Sequence, residues 1–319
     1  MPLNQQQIDD VVSTTMAYRM PTLTDNVYQA TPLFKMLDMR DRITADGGSQ
    51  IEVGYIFALG PGGSYSGMDP LNISRVQTKS LLQFPWKQYY FAVTVDGLTR
   101  LRSGGVNNVV KLVDTELQQG QLTLQQTMGT DVFLDGNGNN SKALTGLDIA
   151  IGTTGVYGGI NRASDAEGPA LRGQVDSIGG VLTLPAIQSS FGAATFGPSH
   201  PDIMVTTQKL FDQVWMRIQP QQRGPMGPIA EQIASVGFPV IMVNGVILTV
   251  DQKCPSGTFW QLNTDFIALV AHIDRANIEI DGPVHIPNGD GRVWKGFWAG
   301  NLVVHGPRYN AKMTGLSES

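Results

Sequence analysis

The sequence predicts an α+β protein in which one long helix is combined with several β-strands. One observation is an apolar stripe at helical spacing that extends from Val106 to Val132. A second is the alternation of side chains over Ile51–Leu59, which is typical of a strand. A third is the stretch "FPVIMVNGVILTVD", in which two apolar runs flank an Asn-Gly turn and predict a β-hairpin.

Composition excludes several classes of protein. The chain has 319 residues, enough for one large or two ordinary domains, and 41% of them are hydrophobic, which argues against disorder. Charged residues make up 15% and the net charge is −5, so no basic stripe for nucleic acid is expected. The first residues lack a secretory signal pattern and apolar runs are strand-sized, so we expect a soluble protein with no membrane partner.

The first half of the chain predicts an arm and an extended hairpin. Residues 1–45 are predicted to contain a short helix from about Gln6 to Tyr18 and to have little core of their own, so we expect them to lie on another part of the structure. From Ile51 a strand leads to the tip "GPGGSYSG", and a second extended run returns from Leu81 to Gly97. Pro85 indicates an edge or unpaired strand at the start of that run. Since an isolated hairpin is marginal in water, we expect it to need a neighbour in the chain or in another copy.

A single helix of about 43 Å is predicted from Val106 to Leu134. Its apolar face consists of Val106, Val109, Val113, Leu117, Gly120, Leu124, Met128 and Val132. The opposite face, which we expect to contact solvent, carries Asn107, Lys111, Asp114, Gln118, Gln121 and Gln125. Six turn-forming residues follow, from Asp135 to Asn140. They match the first three ligand positions of a calcium loop, but Asn140 and Gly146 replace the required Gly and Glu, so a helix stop is the better interpretation.

The remaining sequence contains strands and helices without a recognisable catalytic pattern. The four histidines are scattered, and no nucleophile elbow or phosphate-binding loop occurs. Cys254 is the only cysteine and precedes a proline in an apolar strand pattern, so we interpret it as a packed side chain. We therefore predict no enzyme activity, no catalytic residue, no cofactor and no bound metal.

The order of these parts resembles the major capsid protein of tailed phages, of the Hong Kong 97 type. "LDGNGNNSKALTGL" resembles that family's passage from its spine helix to its apical domain, and "VYGGINRAS" is similar to a Tyr-Gly-Gly-Ile-Asp-Arg stretch of one phage coat subfamily. "VDQKCPSGTFWQLNTDFIAL" resembles a strand that ends in Asp and is followed by a Pro-x-Gly turn. "NLVVHGPRYNAKMTGL" resembles the closing strand.

The resemblance implies a Hong Kong 97-like phage capsid fold with four parts. These are an N-terminal arm (1–45), an extended β-hairpin loop or E-loop (46–95), a peripheral domain with the spine helix (96–147 and 273–319) and an apical domain (148–272). It also implies assembly into hexamers and pentamers of an icosahedral shell around phage double-stranded DNA, contacted non-specifically. Synthesis in the host cytoplasm, a place in the virion, and portal, scaffold or decoration proteins as further partners are implied in the same way.

Within this resemblance, two groups of residues are candidates for contacts between copies. On the hairpin they are Tyr65, Arg75, Lys79 and Trp86, and on the long helix they are Asp114 and Glu116. Residues 51–95 contain three basic and two acidic residues, whereas residues 96–135 contain three basic and five acidic ones. Opposite charge on the two elements favours a defined register.

Two other functions stay open on the sequence. One is the shell of a cellular nanocompartment, encapsulin-like, which has the same fold and usually a reduced N-terminal arm. The other is a β-rich phage tail protein that binds glycans, for which the five tryptophans and 37 glycines would be typical. Some members of the capsid family join a Lys to an Asn of a neighbour, but the matching Asn and Glu cannot be placed, so Lys79 is expected to be an ordinary charge.

Overall fold

The computed structural model of the protein describes part of the chain: Leu33, Leu37 and residues 42–102, 106–218, 240–276, 278–287 and 289–318. The helix predicted from Gln6 to Tyr18 lies outside the described residues, as does most of the predicted arm 1–45. Leu33 and Leu37 are helical and are buried in the main core. These two residues therefore pack on the body of the same chain.

The described strands lie between Arg42 and Thr314. They are β1 (Arg42–Ala45), β2 (Ile51–Ile56), β3 (Lys79–Phe84), β4 (Lys87–Asp96), β5 (Val156–Tyr157), β6 (Ile160–Asn161), β7 (Gln174–Ser177), β8 (Ile203–Thr206), β9 (Val240–Val243), β10 (Val246–Val250), β11 (Phe259–Leu262), β12 (Ile267–His272), β13 (Glu279–His285), β14 (Gly291–Val304) and β15 (Ala311–Thr314).

The described helices include one that is much longer than the others. They are α1 (Gly97–Arg102), α2 (Val106–Asp131), α3 (Gly138–Ser141), α4 (Leu147–Ala150), α5 (Leu184–Ala194) and α6 (Gln208–Ile218), with short 3₁₀ turns at Gly168–Leu171, Thr264–Phe266, Ile273–Arg275 and Pro307–Tyr309. Over the part of the chain that the structure describes, no helix has the length and apolar character needed to cross a membrane.

These strands form two large sheets and two short hairpins. In the first sheet β1, β12, β14 and β13 follow one another, and β4 also pairs with β14; β1 is parallel to β12 and the other pairs are antiparallel. The second sheet has the order β7, β15, β11, β8, β10, β9. Separate two-stranded units are formed by β2 with β3 and by β5 with β6. The α+β class is therefore confirmed.

The sequence predicted β4 as part of the returning strand of the hairpin, but in the structure β4 pairs with β14. Only β3 pairs with β2, from Ile51 opposite Phe84 onward, whereas all ten residues of β4 pair with β14. The change of partner occurs at Pro85, which has no N–H group with which to continue a ladder. The sequence does not reveal this change, because an alternating pattern, here buried at every second residue from Tyr89 to Val95, does not identify the partner strand.

Helix α2 confirms the long amphipathic helix, although it ends at Asp131 rather than Leu134. One part of the predicted solvent face is wrong, because Gln121 and Gln125 are only 3% and 4% exposed. Gln121 and Gln125 each come one residue after a position of the apolar stripe, namely Gly120 and Leu124. The buried face of α2 is therefore wider than this stripe. Three of the four amide atoms of these two glutamines have no hydrogen-bond partner among the described residues, a cost to stability that apolar packing offsets.

The turn after α2 is built as a helix stop. Asp135 accepts hydrogen bonds from the backbone N–H of Asn137 at 3.0 Å and from its side-chain amide at 2.8 Å. These bonds lower the pKa of Asp135. Asn139 and Asn140 adopt φ values of 50° and 55°, the left-handed region that Asn tolerates better than most residues. Within the described ranges no group of three His, Cys, Asp or Glu side chains is placed to hold a metal ion.

The second sheet is covered by α5 and α6 and has its own apolar cluster. The hairpin predicted in "FPVIMVNGVILTVD" is formed by β9 and β10, with Asn244 and Gly245 both at positive φ. The closing strand β15 lies in this sheet between β7 and β11, and β12 lies in the first sheet. The predicted domain boundary between residues 272 and 273 therefore does not separate the strands of the two sheets. The reason is that strand pairing is decided by partners that are distant in sequence.

Helix α2 approaches the first sheet closely at one point. The ring of Phe91 on β4 lies between Gly120 of α2 and Gly296 of β14. A Cβ atom at Gly120 would lie 2.4 Å from Phe91 Cδ2, and a Cβ atom at Gly296 would lie 2.1 Å from Phe91 Cε1. Gly120, the glycine in the apolar stripe, thus allows the helix to pack closely against the sheet at this point.

We expect Gly120→Ala to lower the free energy of unfolding of the protein by up to about 2 kcal/mol, measured by urea denaturation. Alanine favours the helix by about 1 kcal/mol, but overlap with the Phe91 ring costs about 1–3 kcal/mol. Gly192→Ala is the matched control, because Gly192 is helical and no described atom lies within 4 Å of the added Cβ. A Gly120→Ala subunit more stable than wild type would contradict the packing.

Asp251, after β10, is a buried carboxylate with one satisfied oxygen. Its Oδ1 accepts the N–H of Lys253 at 2.8 Å, whereas Oδ2 has no hydrogen-bond partner among the described residues. Burial raises the pKa of Asp251 to about 6. Because the folded state then binds this proton more tightly than the unfolded state, the group lowers stability above about pH 6, and this penalty disappears as pH falls toward 4.

Asp251→Asn should therefore raise the free energy of unfolding by about 1–2 kcal/mol near pH 8, with a difference from wild type that shrinks toward pH 4. Thermal or urea unfolding of the protein across this pH range measures the effect. Asp46→Asn, at an exposed position, is the control for a general change in net charge. Loss of stability in Asp251→Asn at pH 8 would overturn the expectation.

Candidate functional site

The hairpin of β2 and β3 extends well beyond its paired strands. Six residue pairs join the strands, and the N–H of Phe57 then donates to the carbonyl of Thr78 at 3.1 Å. Residues 59–77 beyond this point are all exposed. The far end is a tight turn in which the N–H of Asp69 donates to the carbonyl of Ser66 at 3.2 Å.

The outer part of the hairpin exposes an unusual amount of apolar surface. Met68 is 102% exposed, and Leu59 and Ile73 are each 90% exposed. Tyr65, Leu71 and Val76 are exposed on the same segment. Exposed apolar side chains concentrated on one segment, rather than scattered singly over the protein, point to an interaction site. We call residues 59–76 the hairpin tip.

The predicted contact residues lie in three different places. Tyr65 and Arg75 lie on the tip, and Lys79 is exposed at the start of β3. Trp86 follows the hairpin at its base, where it is half-buried. On α2, Asp114 and Glu116 are partly exposed. Contact of the hairpin residues with this acidic pair is therefore a hypothesis about two copies of the chain.

Gly158, in the turn between β5 and β6, lies directly against β3. A Cβ atom at Gly158 would lie 2.7 Å from Cδ2 of Leu82 and 3.2 Å from Cζ of Phe84. Gly158 has φ of 58°, and its carbonyl accepts the N–H of Gln83 at 3.0 Å. Glycine alone combines this backbone conformation with so close an approach at little cost. This turn therefore holds the inner end of the hairpin.

Beyond Gly300, β4 no longer pairs with β14. Two side chains form hydrogen bonds with the backbone groups at this edge of β14. Oδ1 of Asn301 accepts the N–H of Leu302 at 2.9 Å. Two residues further on, the Tyr157 hydroxyl accepts the N–H of Val304 at 2.8 Å and donates to its carbonyl at 3.1 Å. Since buried backbone groups need partners, these two side chains allow the chain to leave the sheet and enter the hairpin.

Asn301 also connects the hairpin base to the segment after α2. Its Nδ2 donates to the carbonyl of Pro85 at 3.0 Å and to Oγ1 of Thr145 at 3.1 Å. The N–H of Thr145 donates to Oδ1 of Asn301 at 2.9 Å. With the bond from Leu302, the fully buried amide makes all four hydrogen bonds available to it. We call Thr145, Tyr157, Gly158 and Asn301 the hairpin anchor.

Strand β4 is joined to the end of α2 by two further contacts. The Tyr89 hydroxyl donates to Oδ2 of Asp131 at 2.6 Å and accepts the N–H of Leu144 at 2.8 Å. Burial, and then the bond to Asp131, raise the pKa of Tyr89. Lys87 donates to the carbonyl of Ser141, and burial lowers the pKa of Lys87. The helix stop is therefore attached to the strand that follows the hairpin.

Arg162 stabilises the loop that carries Tyr157 and Gly158. It is fully buried and donates to the carbonyls of Leu171 at 2.8 Å, Ile149 at 2.8 Å and Ala150 at 2.5 Å. Burial lowers the pKa of Arg162 to about 10. Its guanidinium lies 4.8 Å from the centre of the Tyr157 ring. The stretch "VYGGINRAS" thus contributes two of the four anchor residues, Tyr157 and Gly158, a role that its residues alone did not indicate.

No protein-family model and no curated protein matches the chain. Among solved structures, the capsid asymmetric unit of cyanophage A-1(L) is similar with a TM-score of 0.70 and 17% identity, over 91% of this chain and 93% of that one.

Two further structures extend the comparison. The capsid of the empty GTA particle has a TM-score of 0.59 and 10% identity, over 91% of this chain and 90% of that one. The SrpI encapsulin of Synechococcus elongatus PCC 7942 has a TM-score of 0.53 and 8% identity, over 89% of this chain and 88% of that one. Identities of at most 17% establish the fold alone. The chain therefore has the Hong Kong 97-like fold of phage capsid proteins.

Proposed function

We propose that this protein is a major capsid protein whose copies assemble into a closed shell. The observation that carries the proposal is the exposed apolar hairpin tip in a chain with this fold, together with a hairpin anchor in which the buried Asn301 amide makes all four of its hydrogen bonds. A monomer gains nothing from this tip. Each large side chain that a neighbouring copy buries contributes about 1.5–3 kcal/mol before the costs of association.

The parts of the fold take the following places in the proposed shell. The first sheet with α2 forms the peripheral domain, and the second sheet with α5 and α6 forms the apical domain. The boundaries at 96–147, 148–272 and 273–319 remain part of the proposal, with β12 assigned to the peripheral domain and β15 to the apical domain because of the sheets in which they lie. The hairpin, predicted as residues 46–95, corresponds to 51–84 with β4 reassigned to the peripheral sheet.

The finer assignments belong to the same proposal. Copies form hexamers and pentamers of an icosahedral shell around phage double-stranded DNA, which they contact non-specifically. The protein is then a virion component made in the host cytoplasm, with portal, scaffold or decoration proteins as further partners. Its role is structural, without catalysis, cofactor or metal.

An encapsulin-like nanocompartment is the second candidate, supported by the similarity to the SrpI encapsulin. The two shells differ in content, so absorbance and nuclease sensitivity of particles recovered from infected or induced cells separate DNA from protein cargo. The glycan-binding tail protein is disfavoured, because the capsid similarity extends over 91% of the chain.

Sedimentation and negative-stain imaging of the purified protein test the proposal. We expect wild type to form shells or capsomers, and we expect a variant lacking residues 60–74 to remain a folded subunit that forms no stable shell. All the deleted residues are exposed, so urea denaturation should detect little change in subunit stability. Normal shells from the deletion, or a monomeric wild type under all assembly conditions, would refute the assignment.

A point-substitution series separates apolar contact from hairpin length. Leu59→Gln with Ile73→Gln keeps the length of the tip but removes apolar side chains that are each 90% exposed. Met216→Gln on α6, at a residue that is 73% exposed, is the matched control. The tip variant should lose assembly and the α6 variant should retain it.

Charge on the hairpin is expected to tune the contact with α2 of a neighbour. Arg75→Glu with Lys79→Glu should weaken assembly at low salt and less at high salt, because each exposed pair contributes about 0.2–1 kcal/mol and salt screens it. Glu116→Lys in the same chain should restore part of the loss if Glu116 faces these residues. Assembly of the double variant at the wild-type level in low salt would contradict the proposed charge contact. It would not affect the proposal that the protein forms a shell.

A further inference from the structure

The residues that follow β15 contact three separate segments around the second sheet. The N–H of Leu316 donates to the carbonyl of Gly257 at 3.0 Å, and the N–H of Ser317 donates to the carbonyl of Gly180 at 2.9 Å. The carbonyl of Ser317 accepts a hydrogen bond from Nε2 of Gln213 on α6 at 3.0 Å. The segment is therefore bonded to the loop between β10 and β11, to the loop before α5 and to α6. We call its three residues the strap: Leu316, Ser317 and Glu318.

Glu318 ends the strap with a carboxylate whose side chain is only 15% exposed. Its Oε1 accepts the N–H of Gly257 at 2.8 Å and the hydroxyl of Thr207 at 2.9 Å. Its Oε2 lies 3.8 Å from Nζ of Lys209. The hydrogen bond from Gly257 is the main reason why the pKa of Glu318 is lowered. The carboxylate is therefore charged at neutral pH and held in one position.

Helix α6 has no acidic residue of its own in its first turn. That turn instead carries Lys209, whose positive charge is unfavourable at the N-terminal end of a helix. Thr207 directly precedes the helix, and its carbonyl accepts the N–H of Phe211 at 3.0 Å while its hydroxyl donates to Glu318. Glu318 thus lies at the N-terminal end of α6 and supplies the negative charge that the helix sequence lacks.

The backbone of the strap is packed closely against the loop between β10 and β11. Gly257 has φ of 68°, and a Cβ atom there would lie 2.9 Å from the carbonyl oxygen of Leu316. The side chain of Leu316 is buried and belongs to the same apolar cluster as Leu210 and Phe211 in the first turn of α6. Charge, hydrogen bonds and a shared apolar cluster therefore join the strap to this turn.

We propose that the strap is a conformational switch for α6. While Glu318 is in place, the first turn of α6 stays on the second sheet, and when the carboxylate leaves, this turn opens. The inference goes beyond the proposed shell and does not depend on assembly. Proteins open locally where a segment has little stabilisation of its own, and this turn receives its N-terminal charge from a residue 111 positions after Thr207. Opening exposes Leu210 and Phe211, which are buried in the closed form.

Acid is expected to open the switch, because protonation removes the charge of Glu318. Its pKa is lowered in the folded protein, so its contribution to stability is present above the pKa of the unfolded state and is lost as pH falls through the folded value. Lys209 keeps its charge in acid. The Cys254 thiol stays neutral because burial raises its pKa to about 12, and Asp251, with a pKa of about 6, is protonated before Glu318.

Hydrogen exchange of backbone amides, followed by mass spectrometry at neutral pH, tests the switch in the whole chain. Glu318→Ala should speed the exchange of α6 amides about tenfold or more, because it removes the charge and two hydrogen bonds at the start of the helix. Exchange in α2 and β14 should keep its wild-type rate. Glu279→Ala is the matched control, because it removes a carboxylate from an ion pair in the first sheet, where Nε of Arg275 lies at 2.8 Å.

The place of the faster exchange decides the outcome. Acceleration confined to α6 supports the switch. Equal acceleration in all elements is a general loss of stability and overturns it, as does unchanged exchange of α6 in a folded Glu318→Ala protein. The difference in α6 exchange between wild type and Glu318→Ala should shrink as pH falls from about 6 to about 3. A difference that persists at pH 3 contradicts opening by protonation of Glu318.

Moving the charge separates its role from that of the hydrogen bonds. Lys209→Glu places a carboxylate in the first turn of α6 itself. Combined with Glu318→Gln, it should restore part of the protection that Glu318→Gln alone loses, because the helix then carries its own N-terminal charge. With Glu318 present it should give no such gain, because two carboxylates would then lie together. No recovery in the double variant overturns the role assigned to the charge of Glu318.

Discussion

The change of strand partner at Pro85 is the constraint on which the rest of the structure depends. Before it, the chain pairs with β2 in an arm that leaves the body of the subunit; after it, the chain pairs along ten residues of β14 in the main core. Proline ends the first ladder because it lacks an N–H group. The position of this single residue therefore determines how much of the extended run is arm and how much is core.

The chain segment before β4 lies outside the first sheet, so the backbone groups of β14 beyond Gly300 have no strand beside them on this edge. These groups need other hydrogen-bond partners. The Asn301 amide and the Tyr157 hydroxyl supply them, and both are buried and fully hydrogen-bonded. Asn301 is bonded at the same time to Pro85 and to Thr145 after the helix stop. Asn301 thus connects the base of the hairpin to the segment that follows α2.

Rigidity at the base and apolar exposure at the tip serve one purpose in the proposed shell. Exposed apolar side chains are an aggregation hazard when they can approach other molecules in any orientation. An arm with a fixed base presents them in one direction. In the proposed shell, identical copies then meet through the same contact at each interface.

The sequence by itself determined the elements that depend on local pattern. The stripe from Val106 predicted α2, the Asp, Gly and Asn run predicted its end, and the Asn-Gly pair predicted the β9–β10 hairpin, because periodicity and turn chemistry act over a few residues. At the candidate site, it predicted an extended hairpin with a flexible end, and the contact role of Trp86 stays a prediction. Only the tertiary structure decided the partner of β4, the sheet that contains β15, the burial of Gln121 and the role of Asn301. These features depend on contacts between residues far apart in the chain, and neither side-chain periodicity nor turn residues encode which distant strand is paired.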